Sequence, residues 1–243
     1  RGMPAQAQGR LEAVLAKSPE HLFAAGFLGE LLLMKGDAAS AIPYFETAAR
    51  LNPKWTTPWM HVARYRYAQK QMAAGDAALQ RGLEATPDDE QMRLLLAVSL
   101  SGQQKFDEAM GHYETVLQKH PRSVLAANNL AATLVEQKGD PQSLDRALML
   151  SRPFESQSPN PYLLDTLGWT HLKMGHGSDA VRVLKQAAGL APDHPVLNYH
   201  LGAAYAKTGQ RSEAITHLKK AVGSGASFEG LDQAKALLGE VMG

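Results

Sequence analysis

Histidine is the residue in this chain best suited to chemistry, because nine histidines are present and cysteine is absent. The absence of cysteine excludes disulfides, thiol catalysis and cysteine-bound zinc. Two histidines four residues apart would share a helix face and chelate a metal, but no pair has this spacing and no HExxH motif occurs. His171 and His176 are five residues apart, and His194 and His200 are six apart. We therefore expect solvated or packed histidines, with no metal and no other cofactor.

The acidic and glycine-containing stretches do not suggest catalysis either. An Asp-Asp-Glu run at residues 88–90 follows Pro87, and carboxylates at a helix start satisfy free N–H groups. A catalytic acid would need a dry pocket that raises its pKa, which a helix end in water does not provide. The Gly-x-Gly pairs at Gly175 and Gly223 lack the rest of a phosphate loop, and no GxSxG motif occurs. The sequence thus predicts no catalytic residue and a protein that is not an enzyme.

The elements that must position any site repeat along the chain. The stretches that begin at Pro161 and Pro195 align residue on residue, so that Leu-Gly at 167–168 corresponds to Leu-Gly at 201–202. Four prolines keep the same period of 34 residues: Pro19, Pro53, Pro87 and Pro121. Because proline cannot continue a helix, each marks a loop between helical hairpins. One such hairpin cannot bury its apolar stripe alone, so it needs stacked neighbours.

This pattern resembles the tetratricopeptide repeat, a helix-turn-helix unit of 34 residues. The resemblance implies an all-α fold, a right-handed α-solenoid of such repeats in one elongated domain. We expect a half repeat at 1–21, a terminal capping helix at 227–243 and six repeats between them. The expected repeats are 22–55, 56–89, 90–123, 124–160, 161–194 and 195–226.

Two of the repeats depart from the pattern. The fourth has four extra residues around the sequence GDPQSLD, in which Asp140 is expected to cap a helix that starts at Pro141. In the second, Gly75 stands where other repeats have alanine. We expect a looser helix there, since glycine within a helix costs about 1 kcal/mol relative to alanine. The Ser-, Pro- and Asn-rich segment 156–161 is expected to be an irregular connection.

Charge and hydropathy exclude two classes of partner. The 25 basic and 24 acidic side chains nearly cancel, which argues against non-specific binding to nucleic acid. No apolar run long enough to span a membrane is present, so no membrane span is predicted. The N-terminal sequence lacks the layout of a secretory signal. We expect the chain to be a piece of a longer protein.

In the family that the pattern resembles, the first helices of the repeats line a concave groove that binds partners. Carried over position by position, the groove positions include Phe23, Glu30, His61, Leu94, Val98, Glu136, Lys173 and His200. The residues selected from the groove positions as the partner-binding site are Phe27, Met60, Arg64, Tyr67, Asn128, Asn129, Tyr162, Asp165, Trp169, Tyr199 and Lys207. Aromatic side chains beside amide and carboxyl groups suit an extended peptide or a sugar chain. Trp169 is the strongest candidate, and its alternative role is packing against the adjacent repeat. For Asn128, Asn129 and Asp165 the alternative is hydrogen bonding within the protein.

Three functions follow from this groove. A non-enzymatic scaffold that binds a protein or peptide partner is favoured over a carbohydrate-binding module that stacks a polysaccharide on the groove aromatics. An enzyme, or a regulatory arm fused to an enzyme that lies outside this stretch, is the third alternative. A clamp for a C-terminal carboxylate, known in chaperone-binding members, needs lysine at position five. Here the position holds Gly26, Met60, Leu94, Asn128, Asp165 and Tyr199, so such a clamp is not predicted.

The C-terminal half carries a second resemblance. From Ala126 onward, the strings AANNLAATLVEQKGD, LDTLGW and NYHLGAAYAKTGQRSEA are similar to bacterial exported tetratricopeptide proteins. The lipoproteins of exopolysaccharide export and PEP-CTERM sorting are the members it resembles most. This resemblance implies a periplasmic or envelope-associated scaffold in a secretion or exopolysaccharide-export assembly. A cytoplasmic location is the alternative.

Overall fold

A computed structural model of the chain describes residues 3–156 and 159–243. Over these residues the fold is all-α, as the sequence predicts, with fourteen α-helices and one short 3-10 helix at Arg152–Glu155. The α-helices are α1 (Met3–Lys17), α2 (Leu22–Met34), α3 (Ala38–Leu51), α4 (Thr56–Ala68), α5 (Met72–Ala85), α6 (Glu90–Gly102), α7 (Phe106–Lys119), α8 (Val124–Gln137), α9 (Pro141–Ser151), α10 (Pro161–Lys173), α11 (Gly177–Leu190), α12 (Pro195–Lys207), α13 (Arg211–Gly223) and α14 (Leu231–Met242).

The chain forms two compact units, which are described separately below. Unit 1 is Arg1–Ser123 and unit 2 is Val124–Gly243. Within unit 1 the hairpins are α2 with α3, α4 with α5, and α6 with α7, and α1 packs against α2. Within unit 2 they are α8 with α9, α10 with α11, and α12 with α13. The first helices of the six hairpins begin at residues 22, 56, 90, 124, 161 and 195, where the predicted repeats start.

Small residues let the two helices of a hairpin approach closely. A Cβ added at Gly168 on α10 would lie 2.5 Å from Leu184 Cγ on α11, and one added at Gly202 would lie 2.8 Å from Leu218 Cγ. Both leucines are fully buried. The helices are joined by a tight turn in which Gly175 has a φ of +81°, a left-handed conformation that favours glycine. The repeated Leu-Gly pairs are therefore required by packing between helices.

The fourth hairpin begins its second helix as predicted. The Asp140 carboxylate accepts a hydrogen bond of 3.1 Å from the backbone N–H of Ser143, and α9 starts at Pro141. A hydrogen bond from the Ser143 hydroxyl, followed by this backbone bond, lowers the pKa of Asp140. After α9 the chain continues in the short 3-10 helix, where Phe154 is buried. The predicted irregular connection at 156–161 lies partly outside the described residues.

The expectation of a loosened helix in the second repeat is wrong. Helix α5 runs without interruption over its 14 residues. The Tyr67 ring of α4 occupies the space beside Gly75, so that an added Cβ would lie 2.3 Å from Tyr67 Cε1. A large aromatic residue in the first helix is thus matched by a glycine in the second.

The last helix packs on the end of unit 2. Helix α14 contacts α12 and α13, and its Ala234 is fully buried in a cluster with Tyr199, Leu218 and Ala221. Leu237, Leu238 and Val241 pack at the edge of the same cluster. The chain enters α14 through Gly230, whose φ of +93° favours glycine. The start of α14 therefore lies beside α12.

Two kinds of feature are absent from the described part of the chain. None of the helices there is both long and apolar enough to cross a membrane. No group of three or more His, Cys, Asp or Glu side chains there is arranged to hold a metal ion.

Candidate functional site

A pocket of about 340 Å³ opens within unit 2, and we call it the unit 2 pocket. It lies where the first helices α8, α10 and α12 meet the chain that leads into α14. Its lining residues are Ala132, Val135, Glu136, Asp165, Thr166, Trp169, Lys173, Val196, Tyr199, His200, Glu229, Gly230 and Gln233. Three of the predicted groove residues, Asp165, Trp169 and Tyr199, are brought together here.

Helix α10 supplies one wall through a regular spacing. Asp165, Trp169 and Lys173 are each four residues apart, and side chains at this spacing lie one above another on the same helix face. All three line the pocket. The wall of α10 thus offers a carboxylate, an indole and an ammonium in order along the helix.

Trp169 is held by contacts on neighbouring helices. Its indole Nε1–H donates to Glu136 Oε1 on α8. Its ring stacks on the His200 imidazole of α12, with centroids 3.9 Å apart and planes 16° apart. The Lys173 Nζ atom lies over the ring, 4.8 Å from its centroid. Trp169 therefore packs against the adjacent repeat, which is the alternative role foreseen for it, and it also borders the pocket.

Asp165 and His200 form a pair across α10 and α12. The His200 Nδ1 atom lies 2.8 Å from Asp165 Oδ1 and 3.0 Å from Oδ2. The exposed fractions of the two side chains are only 13% and 14%, so the pair is largely shielded from water. The carboxylate fixes the imidazole in the position where it stacks on Trp169.

Tyr199 is the most buried aromatic residue of the pocket, with an exposed fraction of 9%. Its ring packs against Phe228 and beside Gly230, where a Cβ would lie 2.7 Å from Tyr199 Cε1. No hydrogen bond joins the Tyr199 hydroxyl to any other residue that the structure describes. Burial, followed by the negative charge of Glu136, raises the pKa of this phenol. Tyr199 thus remains neutral at physiological pH, and its hydroxyl has no hydrogen-bond partner among the residues that the structure describes.

The other predicted residues of unit 2 lie outside this lining. Tyr162 is 55% exposed and packs edge-on against His194, at a centroid distance of 5.4 Å. Asn128 donates to Asn129 across 3.3 Å, and the side-chain oxygen of Asn128 is buried with no hydrogen-bond partner among the described residues. Lys207 is exposed at the end of α12. The hydrogen-bonding alternative for the two asparagines is therefore realised in part.

In unit 1 the predicted residues are spread out. Phe27 is 55% exposed and stacks loosely on Phe23, while Arg64 is exposed. Met60 is buried, with an exposed fraction of 8%, so it supports α4 from inside and offers no side chain to a partner. Tyr67 donates a hydrogen bond of 2.8 Å to the buried Asp76, which gives it a structural role within the hairpin.

Asp76 is the centre of a polar network that the sequence did not reveal. It accepts hydrogen bonds from the Tyr67 hydroxyl (2.8 Å), the Ser99 hydroxyl (2.7 Å) and the Gln103 amide (2.7 Å). These donors lie on α4 and α6, whereas Asp76 lies on α5. The network therefore ties three successive helices of unit 1 together.

Sequence reasoning also missed the residues that close the unit 2 pocket. Glu229, Gly230 and Gln233 reach it because the chain returns onto α12 after α13. No periodic signal marks this return. His200 and Glu136, in contrast, occupy groove positions that the family pattern gives for their repeats.

A second cleft of about 1180 Å³ lies in unit 1 between α3, α4 and α5. It is lined by alanines of α5 together with Pro43, Pro53 and Trp59, and charged side chains stand at its edge. The Trp59 indole donates to the backbone carbonyl of Pro53. Ala74, Ala77 and Ala78 of α5 contribute small side chains to this cleft, which the sequence analysis did not identify.

Comparison with known proteins gives consistent matches. One family model described as a tetratricopeptide repeat matches residues 32–98 and 171–238, more than half of the chain. Two further models with this description match residues 1–54 and 91–123. A TPR repeat-containing protein of Pseudomonas aeruginosa is 29% identical over 124 residues, which are 49% of this chain and 20% of that protein. The matched segment thus spans about a fifth of the length of this relative.

Solved structures show the same fold. The APC/C hetero-tetramer Cut9-Hcn1 matches with a TM-score of 0.69 at 14% identity, over 100% of this chain and 47% of that one. PilW, described as a type IV pilus biogenesis factor, matches with a TM-score of 0.66 at 17% identity, over 87% of this chain and 96% of that one. At these identities the similarity establishes the solenoid fold alone.

Proposed function

This chain belongs to the tetratricopeptide repeat family, and on that premise we propose that it is a non-enzymatic scaffold that binds a protein partner through unit 2. The fold is typical of protein–protein interaction scaffolds, and members of the family bind protein or peptide partners. The surface proposed for the partner is the exposed face of α8, α10 and α12, which we call the first-helix face.

One observation supports this surface above all others. The unit 2 pocket joins side chains of three first helices into a single depression with aromatic, carboxylate, ammonium and hydroxyl groups. These groups are held before any partner arrives, as the Asp165–His200 pair and the Trp169 contacts show. A preformed surface lowers the ordering cost of binding, so more of the contact energy appears as affinity.

The biological setting that we propose is an assembly of the bacterial envelope, for secretion or exopolysaccharide export, with the chain in the periplasm or attached to the envelope. The resemblance of the C-terminal half to exported proteins supports this setting. The likeness in fold to a type IV pilus biogenesis factor is compatible with it. Fractionation of the source bacterium, with an antibody to this chain, should place it in the envelope fraction, and recovery from the cytoplasm alone would overturn the setting.

Polysaccharide binding on the groove aromatics is the second candidate, and the geometry favours it less. A sugar ring needs an open aromatic face, yet one face of the Trp169 indole is covered by His200 and the Lys173 ammonium also lies over the ring. Tyr199 is nine-tenths buried. Only Tyr162 among the predicted aromatics of unit 2 is widely exposed.

Site-specific crosslinking in the source bacterium tests the proposed function. A photoreactive phenylalanine analogue replaces Tyr162 on the first-helix face, and a matched variant carries it at Lys185, which is exposed on the second helix α11. A protein captured only at position 162 is then purified. It should bind the full chain in solution, and Trp169→Ala should weaken that binding.

The outcomes separate the candidate functions. Equal capture at both positions, or binding that Trp169→Ala leaves unchanged, would contradict the first-helix face. Binding of an oligosaccharide with loss in Tyr162→Ala would favour the second candidate. Turnover of a substrate by the chain would defeat both.

A further inference from the structure

We infer that the unit 2 pocket receives a basic side chain, an arginine or a lysine, from the protein partner. The inference rests on the proposed function and specifies the chemistry of the partner at this site. It follows from the charge of the lining, from the aromatic groups beside that charge and from the Tyr199 hydroxyl, which makes no hydrogen bond in the described part of the chain.

The charged groups of the lining are mostly acidic. Three carboxylates, Glu136, Asp165 and Glu229, border the pocket, against one ammonium, Lys173, and the imidazole of His200. Asp165 is paired with His200, which leaves two carboxylates opposite a single lysine. An anionic side chain would meet like charge on two sides, whereas a cation would find complementary charge.

The aromatic groups favour a cation for a separate reason. The face of an indole or phenol ring attracts positive charge, most strongly when water is displaced. This chain already places an ammonium over such a ring, because Lys173 Nζ lies 4.8 Å from the Trp169 centroid. Lys173 is exposed, so its side chain can move away. A cation from the partner can then occupy the place that Lys173 fills in the free protein.

The buried phenol supplies a directed polar contact. Tyr199 is nine-tenths buried, lines the pocket and makes no hydrogen bond within the described part of the chain. Its hydroxyl can accept an N–H from the ligand. A guanidinium is the better fit of the two cations, because its planar fork can reach a carboxylate and a hydroxyl together while it stacks on a ring.

Nuclear magnetic resonance of the indole N–H groups tests the inference on the full chain. The chain has three tryptophans, of which only Trp169 lies in unit 2, so Trp55 and Trp59 of unit 1 act as internal controls. The probe is N-acetyl-arginine methylamide. The matched probes are the citrulline derivative, which has nearly the same shape without the charge, and the glutamate derivative, which carries the opposite charge.

We expect the Trp169 signal alone to shift with millimolar arginine probe, and not with the citrulline or glutamate probe. Glu136→Gln keeps an acceptor for the Trp169 N–H, and Glu229→Gln changes an exposed side chain, so both variants should fold. Each should weaken binding of the arginine probe by roughly tenfold if it removes a charge-assisted hydrogen bond. Glu240→Gln makes the same kind of change at an exposed residue of α14, and it should leave binding unchanged.

Each other outcome overturns the inference in a distinct way. A shift of the Trp169 signal with the glutamate probe would show that the pocket prefers an anion. Equal shifts with the arginine and citrulline probes would show that binding does not depend on charge. If no probe moves Trp169 while the crosslinked partner still binds the first-helix face, the basic side chain is excluded and the proposed function stands. If the partner does not bind that face, the proposed function fails first.

Discussion

At the residue scale, we expect the buried Asp76 carboxylate to contribute strongly to the stability of unit 1. Its carboxylate accepts hydrogen bonds from Tyr67, Ser99 and Gln103 on two other helices. Asp76→Ala would leave these donors without an acceptor in a buried place, at a cost of about 1–3 kcal/mol or more. Urea unfolding followed by circular dichroism should show this loss.

Asp145→Ala is the matched control, because Asp145 is exposed on a second helix. It should change the free energy of unfolding by less than about 0.5 kcal/mol. A loss of unfolding free energy of similar size in both variants would mean that the hydrogen bonds to Asp76 do not stabilise the protein specifically.

His217 gives unit 2 a dependence on pH. Burial, helped by the charge of Lys220, lowers the pKa of His217 below its usual value of about 6.5. As pH falls through 6.5, the unfolded chain gains a proton that the folded chain does not, so stability decreases until the folded pKa is reached. The melting temperature should therefore fall as the pH drops below about 6.5.

His217→Gln should reduce that fall, because glutamine does not titrate and can still donate to Asn198, which lies 2.8 Å from His217 Nδ1. Lys219→Gln, on the exposed side of the same helix, should leave the fall as it is. An identical pH dependence in the wild type and His217→Gln would refute the role of this histidine.

At the element scale, the hairpin depends on close approach of its helices. Gly168→Ala would place a Cβ 2.5 Å from Leu184 Cγ and 3.2 Å from the Leu184 backbone nitrogen. The backbone of α11 cannot give way easily, so we expect a loss of about 1–3 kcal/mol from overpacking. Alanine has the higher helix propensity by about 1 kcal/mol. A loss of stability in Gly168→Ala would therefore show that overpacking outweighs helix propensity.

Gly189→Ala, on α11 of the same hairpin, meets no atom within 4 Å. It should therefore be neutral or stabilising by up to about 1 kcal/mol. Thermal unfolding of both variants checks the pair, and a stabilised Gly168→Ala protein would contradict the packing described for the Leu-Gly pairs.

The docking of α14 is a second prediction at this scale. Ala234 is fully buried against α12 and α13, whereas Ala236, two residues along, is exposed. Ala234→Asp would bury a charge without a partner, so amide hydrogens of α14 should exchange much faster. Ala236→Asp should not change their exchange, and equal protection in the two variants would refute the docked position of α14.

The elements themselves were largely predictable. Proline period, the glycine turns and the Asp140 cap are local signals, and local signals determine where helices start and stop. Gly75 was misread because its meaning depends on Tyr67, a residue of another helix whose ring fills the space. Met60 was misplaced for a similar reason, because a family position does not state which side of α4 is buried.

The candidate site was predictable only where it follows the repeat. Asp165 and Trp169 lie one helical turn apart at groove positions of the fifth repeat. Their partners His200 and Glu136 lie at groove positions of the neighbouring repeats, on α12 and α8. Glu229 and Gln233 come from a segment outside the repeats, so only the fold brings them to the pocket. That segment contributes one of the two carboxylates on which the ligand charge depends.

At the scale of the whole molecule, we expect a destabilising substitution to affect mainly the hairpin that carries it and the neighbouring hairpins. In a repeat protein each hairpin contacts only its neighbours, and regions open separately. Leu167→Ala removes a fully buried side chain of α10, at a cost of about 2–5 kcal/mol. Hydrogen exchange should rise in α10, α11 and their neighbours in unit 2 and stay unchanged in α2 to α5 of unit 1. A uniform rise over the whole chain would indicate one cooperative unit.

The central claim is that the first-helix face of unit 2 holds the partner. Hydrogen–deuterium exchange of the full chain, with and without the partner purified after crosslinking at position 162, tests it most directly. We expect new protection in α8, α10, α12 and the segment around Glu229 that enters α14. Protection confined to the second helices α9, α11 and α13, or to unit 1, would contradict it.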